Sequence, residues 1–253
     1  MYIDAHTHLD FYGEQVEKAL REIKVHKIIT IANSMDLESY KKNNEYAKDC
    51  AYVIPAFGIH PWKAGSLKGE LSELVPWIEE SKMIGEIGLD TVWAEDPENY
   101  ERQQAVYYFL LEQSMKRKKV ITIHTKGAEE EIYESLKAYD CSRVIIHWYS
   151  GSLETFKKLI LLGCYFTISV DYGVSALTEQ LLPLIPMERL LTETDGPTAL
   201  EWVTGEYGYP SEVIRIVERL AAAKHCTVAE IKQIIWCNFC QLMEESGIGL
   251  TIE

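Results

Sequence analysis

Short apolar runs alternate with longer amphipathic stretches along most of the chain. The short runs are rich in β-branched residues, and Ile28–Ile31 and Val144–Ile146 are continuous examples. Runs of this kind are typical of parallel strands that are buried on both faces. The sequence predicts eight such strands: Met1–Ala5, Lys27–Ala32, Tyr52–Ile59, Met83–Gly88, Val120–His124, Arg143–His147, Cys164–Val170 and Leu190–Thr194.

The stretches between these strands carry apolar residues at helical spacing. They predict eight helices: Gln15–Val25, Leu37–Lys48, Leu67–Glu80, Asn99–Arg117, Ala128–Tyr139, Leu153–Leu162, Leu177–Leu184 and Glu212–Lys224. A further helix over Thr227–Ser246 follows, and Thr227 with Glu230 has the spacing of a capping box at its start. Eight strands that alternate with eight helices predict a TIM (β/α)8 barrel with an extra C-terminal helix.

A doubly wound open sheet is the alternative fold. It usually has fewer strands at this length and often carries a Gly-rich phosphate loop, and the sequence contains neither G-x-G-x-x-G nor a P-loop. The chain has 253 residues, which is the usual size of one α/β barrel, and no Ser/Gly/Pro-rich linker divides it. We therefore expect residues 1–253 to form a single domain.

The composition is that of a globular protein, with 47% hydrophobic and 25% charged residues and a net charge of −14. This charge argues against a protein that coats nucleic acid, but bound divalent cations can reverse the local sign at a nuclease site. The sequence contains no bilayer-spanning apolar run and no secretory signal, so we expect a cytoplasmic protein without membrane contact. No sequence feature indicates an obligate protein partner.

A C-x-x-C pair, Cys237 and Cys240, is a pattern that can bind zinc or carry out redox chemistry. It falls within a helical stretch and has no second pair elsewhere. We therefore predict that both residues are buried thiols on one helix face.

Polar residues gather where the predicted strands end, which is where a TIM barrel carries its active site. Five of the seven histidines lie at such ends, together with two acids: His6, His8, His60, His124, His147, Glu86 and Asp195. Imidazole nitrogen combined with carboxylate oxygen suits zinc, manganese or iron better than calcium. The sequence therefore predicts a metal site at this end of the barrel.

Residues at positions i and i+2 of a strand project from the same face, so His6 and His8 can reach one ion. Two further histidines and two acids bring the candidate ligands to six, more than one tetrahedral ion needs. Because a carboxylate can bridge, two adjacent ions account for the set more simply. Asp4 precedes this pair, either as an acceptor for an imidazole N–H or as a strand-end carboxylate that the backbone satisfies.

Six segments resemble, in order, the motifs of the TatD family of metal-dependent hydrolases within the amidohydrolase superfamily. They span strand 1 to strand 8: Asp4–Leu9, Gly58–Pro61, Gly85–Asp90, Ile123–Thr125, His147–Gly151 and Glu193–Pro197. The resemblance implies a TIM-type barrel with a divalent metal site that is usually binuclear, filled by zinc, manganese or magnesium. It also implies roles for single residues: His6 and His8 bind the first ion, Glu86 and Asp195 complete or bridge its ligands, His124 and His147 bind the second, and His60 lies near the substrate.

Characterised members of this family cleave DNA phosphodiesters as 3′-exonucleases. The resemblance therefore predicts a TatD-like deoxyribonuclease or phosphodiesterase that attacks with hydroxide on a divalent metal. Glu86 and Asp195 are the predicted catalytic acids, and Asp195 acts as general base and then general acid. His60 and Lys126 are predicted to bind the substrate and to stabilise its developing negative charge.

The sequence departs from the family beside the expected substrate pocket. Lys126 follows the strand-5 motif where the family often has arginine, and Thr198 stands where it often has an aromatic residue. An amide, ester or lactone hydrolase acting on a small molecule therefore remains the alternative. A non-catalytic scaffold is disfavoured, because all six expected ligand positions are filled.

Aromatic residues follow strands 4, 6, 7 and 8 and either stack bases or pack the loops: Trp93, Tyr149, Tyr172, Trp202 and Tyr207.

Overall fold

Eight parallel strands form one sheet in chain order. The structure, a computed structural model, describes residues 1–94 and 97–247. The strands are β1 (Tyr2–Thr7), β2 (Ile28–Asn33), β3 (Val53–Phe57), β4 (Met83–Gly88), β5 (Val120–His124), β6 (Val144–Ile146), β7 (Tyr165–Ile168) and β8 (Leu190–Thr192). Each strand pairs in parallel with the next one along the chain. The predicted TIM barrel is confirmed, because helices lie between these strands and cover the sheet.

The barrel closes through contacts between β8 and β1. The Thr194 backbone N–H donates to Asp4 Oδ1 at 2.8 Å, and the Asp195 N–H donates to the carbonyl oxygen of His6 at 2.9 Å. The Thr194 hydroxyl donates to the other Asp4 oxygen at 2.6 Å. The end of β8 therefore supplies the hydrogen-bond donors for the Asp4 carboxylate. This fits its interpretation as a strand-end carboxylate rather than as an acceptor for an imidazole N–H. This closure brings Asp195 beside His6 and His8.

The helices of the described residues lie mostly where periodicity places them. They are α1 (Val16–His26), α2 (Leu37–Asp49), α3 (Pro61–Ala64), α4 (Val75–Glu80), α5 (Pro97–Lys116), α6 (Glu129–Leu136), α7 (Leu153–Leu161), α8 (Ala176–Leu181), α9 (Thr198–Thr204), α10 (Glu212–Ala223) and α11 (Val228–Glu245). The predicted helix over 67–80 is wrong in its first half, where a 3-10 turn, Leu71–Leu74, precedes α4. Pro76 explains this boundary, because proline lacks an N–H and fits only the first turn of a helix.

The C-terminal helix α11 begins at the predicted capping box. The Glu230 N–H donates to Thr227 Oγ1 at 3.2 Å, and the Thr227 N–H donates to Glu230 Oε2 at 2.8 Å. Cys237 on this helix is exposed and Cys240 is half-buried, so the predicted burial of both thiols is wrong. Their face of the helix turns away from the barrel, and neither belongs to a possible metal-ligand group among the described residues.

No helix within residues 1–94 and 97–247 combines the length and the apolar character needed to cross a bilayer. The single domain expected over residues 1–253 remains a prediction, and residues 95–96 and 248–253 of it lie outside the described part of the chain.

Candidate metal centre

A cavity of about 640 Å³ opens at the C-terminal ends of the strands. Its walls include most of the predicted site residues: His8, His60, Glu86, His124, Lys126, His147 and Asp195. His6 is fully buried, and its Nε2 lies 3.3 Å from His8 Nε2. The structure therefore brings the residues that the sequence singled out into one place.

Glu86 lies at the centre of the cluster and presents one oxygen to each pair of histidines. Its Oε2 is 3.3 Å from His6 Nε2 and 3.2 Å from His8 Nε2. Its Oε1 is 2.8 Å from His124 Nδ1 and 2.7 Å from His147 Nε2. The carboxylate is therefore shared between two pairs of imidazole nitrogens.

The spacing of the first group fits a divalent cation. Metal–ligand bonds of about 2.0–2.2 Å place neighbouring tetrahedral ligand atoms roughly 3.3–3.6 Å apart. Asp195 Oδ1 lies 3.6 Å from His6 Nε2 and 3.7 Å from His8 Nε2, and these three residues form a possible metal-ligand group among the described residues. Glu86 Oε2 lies beside the same two imidazoles. Two imidazole nitrogens and two carboxylate oxygens also have the donor chemistry of zinc or manganese sites.

Local backbone geometry places these side chains. Asp195 adopts a left-handed conformation with φ of 44°, which a non-glycine residue takes only where its surroundings hold it. Gly58 lets β3 pass the backbone of Glu86, because a Cβ at this position would collide with the Glu86 N and O atoms. The glycine of the Gly58–Pro61 motif therefore serves the position of the central carboxylate.

Electrostatics favour the cation-binding forms of Glu86 and His6, whereas for His8, His124 and His147 burial opposes protonation but neighbouring carboxylates raise the pKa above its usual value. Burial opposes ionisation of Glu86, but the His60, His147 and His6 rings hold the pKa of its carboxyl well below the usual range. Burial and the neighbouring His147 lower the pKa of His6, so its ring is neutral and has a free lone pair. Burial raises the pKa of Asp195, which suits a group that accepts a proton.

His60 is oriented as a hydrogen-bond donor. Its Nδ1 accepts the backbone N–H of Trp62 at 3.1 Å, so the neutral ring carries its proton on Nε2. That Nε2 lies 3.5 Å from Glu86 Oε1. Burial lowers the pKa of His60 to about 4, so the ring stays neutral at pH 7. His60 is thus oriented as a donor toward Glu86, and it also forms a possible metal-ligand group with Glu86 and His124.

Two buried acids that the sequence left unassigned contact the candidate ligands. Asp90 Oδ2 lies 3.0 Å from His124 Nε2. Glu193 Oε2 lies 3.6 Å from His147 Nδ1, and Glu193 Oε1 accepts the Trp148 N–H at 3.1 Å. Both acids fall inside the motif segments, Asp90 in Gly85–Asp90 and Glu193 in Glu193–Pro197. Their position at strand ends could have identified them as candidates.

Aromatic rings and one lysine line the outer part of the cavity. The rings belong to Phe11, Trp62, Trp93, Trp148, Tyr149 and Trp202, whereas Tyr172 and Tyr207 do not line the cavity. The Trp148 and Trp202 rings are stacked at 25°, with centroids 6.2 Å apart. Lys126 Nζ donates to Ser150 Oγ at 3.1 Å and is the only lysine or arginine among the described lining residues.

Buried histidines and carboxylates at the C-terminal ends of the strands of a TIM barrel are typical of metal-dependent hydrolases. Comparison with known proteins identifies the family. The chain belongs to the TatD-related DNase family, whose sequence profile matches residues 3–244.

Its relatives are similar along almost their whole length. An uncharacterized metal-dependent hydrolase of Methanocaldococcus jannaschii is 26% identical over 96% of this chain and 97% of the relative. A second one, from Mycoplasma genitalium, is 30% identical over 94% of this chain and 97% of the relative. The crystal structure of YjjV, a TatD homolog from Escherichia coli, shares the fold with a TM-score of 0.83 at 24% identity, covering 95% of this chain and 97% of that one. The chain is therefore a metal-dependent hydrolase.

Proposed function

We propose that this hydrolase is a phosphodiesterase of the deoxyribonuclease type that works with two divalent ions. The observation that carries the proposal is the orientation of Glu86, whose two oxygens face two separate pairs of imidazole nitrogens. A binuclear centre of this kind is suited to phosphodiester cleavage, because two ions can stabilise both the attacking and the leaving oxygen.

Each half of the cluster would hold one ion. His6, His8, Asp195 and Glu86 Oε2 form the first set, and His124, His147 and Glu86 Oε1 form the second. Zinc, manganese or magnesium would supply a water of lowered pKa and would polarise the phosphoryl oxygen.

The remaining chemistry belongs to the protein side chains. Asp195 takes the proton of the attacking water and passes it to the leaving oxygen, because its carboxylate is buried at the site and its pKa is raised. His60 donates its Nε2–H to the oxygen on which negative charge develops. Lys126 neutralises a neighbouring phosphate from the cavity wall.

The cavity wall supports a nucleic-acid end as substrate. Stacking of a base on an aromatic ring contributes about 1–3 kcal/mol and tolerates any base sequence. Trp202 and Trp93 are both more than half exposed and offer such faces beside the metal centre. A terminal nucleotide would thus rest its base on the aromatic wall and its phosphate near Lys126.

A small-molecule ester, amide or lactone is the second candidate substrate. The observation that favours it is that Lys126 is the single basic side chain among the described lining residues of a chain with net charge −14, since a polyanion gains little attraction there. A cavity of about 640 Å³ also has the volume typical of small-molecule sites.

Metal analysis combined with a substrate panel tests the proposal. The panel compares single-stranded DNA, a generic phosphodiester, and a set of lactones and amides. We expect two ions per chain and cleavage of the two phosphodiester substrates. Cleavage of only the lactone and amide set would overturn the phosphodiesterase assignment.

A substitution of Lys126 separates the two candidate substrates further. Lys126→Ala should raise the KM for DNA by about 10-fold through loss of one charge-assisted contact of roughly 1.4 kcal/mol, and should leave hydrolysis of a neutral ester unchanged. Initial-rate kinetics on both substrates measure this, and an equal effect on both would contradict a phosphate-binding role.

A further inference from the structure

Asp90 contacts the predicted metal ligand His124 at the ring nitrogen that faces away from Glu86. Asp90 is fully buried just after β4, and its Oδ2 lies 3.0 Å from His124 Nε2. The other ring nitrogen, His124 Nδ1, faces Glu86 Oε1 at 2.8 Å. The His124 ring therefore lies between two carboxylates, one central to the cluster and one behind it.

The surroundings of Asp90 require it to act as an acceptor. Its Oδ1 accepts the backbone N–H groups of Val92 and Trp93, each at 2.8 Å, and its Oδ2 accepts the indole N–H of Trp62 at 2.7 Å. These three donors all favour the ionised carboxylate, which has no proton to give to His124.

The hydrogen bond to His124 must then use a proton on its Nε2. A neutral imidazole has one proton, so Nδ1 keeps its lone pair and directs it toward the centre of the cluster. A second carboxylate behind a metal-bound imidazole is a recurring way of fixing both the tautomer and the angle of the ring.

We propose that Asp90 is a positioning residue that holds His124 as an Nδ1 ligand of the second ion. This inference rests on the two-ion centre proposed above. It assigns to Asp90 no contact with substrate and no proton transfer. Its effect is confined to how tightly the second ion binds and to which nitrogen binds it.

The position of Asp90 is itself fixed by packing rather than by His124. Its backbone N–H donates to Gln103 Oε1 at 2.8 Å, and Gln103 Nε2 donates to its carbonyl oxygen at 3.1 Å. Gln103 lies fully buried on α5, so the helix anchors the loop that carries Asp90. The backbone of Asp90 is therefore held by contacts that do not involve the metal cluster.

The isosteric variant Asp90→Asn tests the proposal. The asparagine oxygen can still accept from Val92 and Trp93, but the amide N–H groups then face His124 Nε2 and favour the tautomer with its proton on Nδ1. We expect the second ion to bind about 10–100-fold more weakly and the first ion to bind as before. Titration calorimetry with Mn²⁺ on the full chain measures both sites.

A spectroscopic readout separates positioning from loss of packing. Long-range ¹H–¹⁵N spectra of the zinc-loaded protein with ¹⁵N-histidine report which nitrogen of each ring carries a proton. In the wild type we expect His124 to be protonated on Nε2 and metal-bound through Nδ1. Ligation through Nε2 would overturn the proposal.

Trp62→Phe is the matched control, because it removes a donor to Asp90 while the carboxylate and its bond to His124 remain. It should bind two ions with wild-type affinity.

The double variant Asp90→Asn/Trp62→Phe relieves the clash between the amide and the indole N–H, so it supplies a folded protein if the single variant is unstable. Two tightly bound ions in this double variant would refute the role of Asp90. A wild-type chain that binds fewer than two ions would instead refute the proposed centre.

Discussion

The side chains at the metal centre are proposed to serve two tasks, holding cations and moving protons, and Asp195 is proposed for both. Glu86, His6, His8 and His147 are buried, His124 is half-buried, and the four imidazoles all contact the Glu86 carboxylate. Asp195 and His60 also line the cavity, so they can face a bound substrate. Substitutions should therefore distinguish loss of metal from loss of catalysis.

Asp195→Asn should lower kcat by about 10²–10⁴-fold, because the amide cannot accept the proton of the attacking water. The bound metal should remain, since His6, His8 and Glu86 still surround the first ion. Single-turnover kinetics together with metal content measure the two effects. Full activity in this variant would remove Asp195 from the role of base.

Because the pKa of His60 is low, removal of this side chain should reduce kcat by a factor that does not depend on pH. Because burial lowers this pKa to about 4, the ring is neutral at every higher pH and its donor capacity does not change there. His60→Ala should reduce kcat by about 10²–10³-fold to the same extent from about pH 6 to pH 8. A rate ratio that shifts across this range would indicate a titrating His60, and His60→Gln, which keeps a donor, should recover part of the rate.

At the scale of elements, α11 is tied to the beginning of β8 by one buried side chain. Asn238 Nδ2 donates to the carbonyl oxygens of Met187 and Leu190 at 2.7 and 2.8 Å. Asn238→Ala leaves both oxygens without this partner and should lower the free energy of unfolding by about 1–3 kcal/mol. Urea denaturation measures the change. Since Asn238 is remote from the cavity walls, metal stoichiometry should stay at the wild-type value, and a loss of metal would show that α11 supports the site.

The sequence predicts long, periodic elements better than short ones. The β-branched runs of β2 and β6 identify buried strands directly, because such residues fit a sheet that is covered on both faces. The helices α3 and α9 were not predicted, because four and seven residues are too few to show a helical period. Each begins beside a proline, which is a local signal that hydrophobic periodicity does not contain.

The candidate site was likewise predicted where regular strand geometry determines it and missed where loops determine it. Strand alternation is enough to place His6 and His8 side by side, and the ends of parallel strands meet at one rim. The contacts of Asp90 and Glu193 depend instead on side-chain direction within loops, which residue spacing does not determine. The aromatic residues of the cavity were predicted only in part for this reason. Tyr172 and Tyr207 follow strands but are not among the lining residues.

At the scale of the molecule, the balance of charge predicts weak salt dependence. With Lys126 as the only cation among the described cavity residues, about one phosphate contact should respond to salt. The logarithm of KM for single-stranded DNA should then rise against the logarithm of salt concentration with a slope of about 0.7. Initial rates between low and physiological salt measure it. A steep slope would point to a larger basic surface than this cavity offers.

Metal removal should weaken the fold as well as abolish catalysis. Ions that bind only the native state stabilise it, by about 2.7 kcal/mol when their concentration is 100 times the Kd. Dialysis against a chelator should therefore end hydrolysis and lower Tm, and adding back Mn²⁺, Zn²⁺ or Mg²⁺ should restore both. Hydrolysis by the metal-stripped chain would contradict the proposed mechanism.

The closure of β8 onto β1 has a consequence for the synthesis of the protein on the ribosome. Asp4 and Thr194 meet although 190 positions separate them, and Asp195 joins His6 and His8 at the same seam. A nascent chain that has emerged only as far as β7 has made His6, His8, His124 and His147 but has no Asp195. Synthesis must pass residue 195 before the predicted catalytic base exists. Prematurely terminated products lack this residue, so we expect hydrolytic activity only in chains that have completed the barrel.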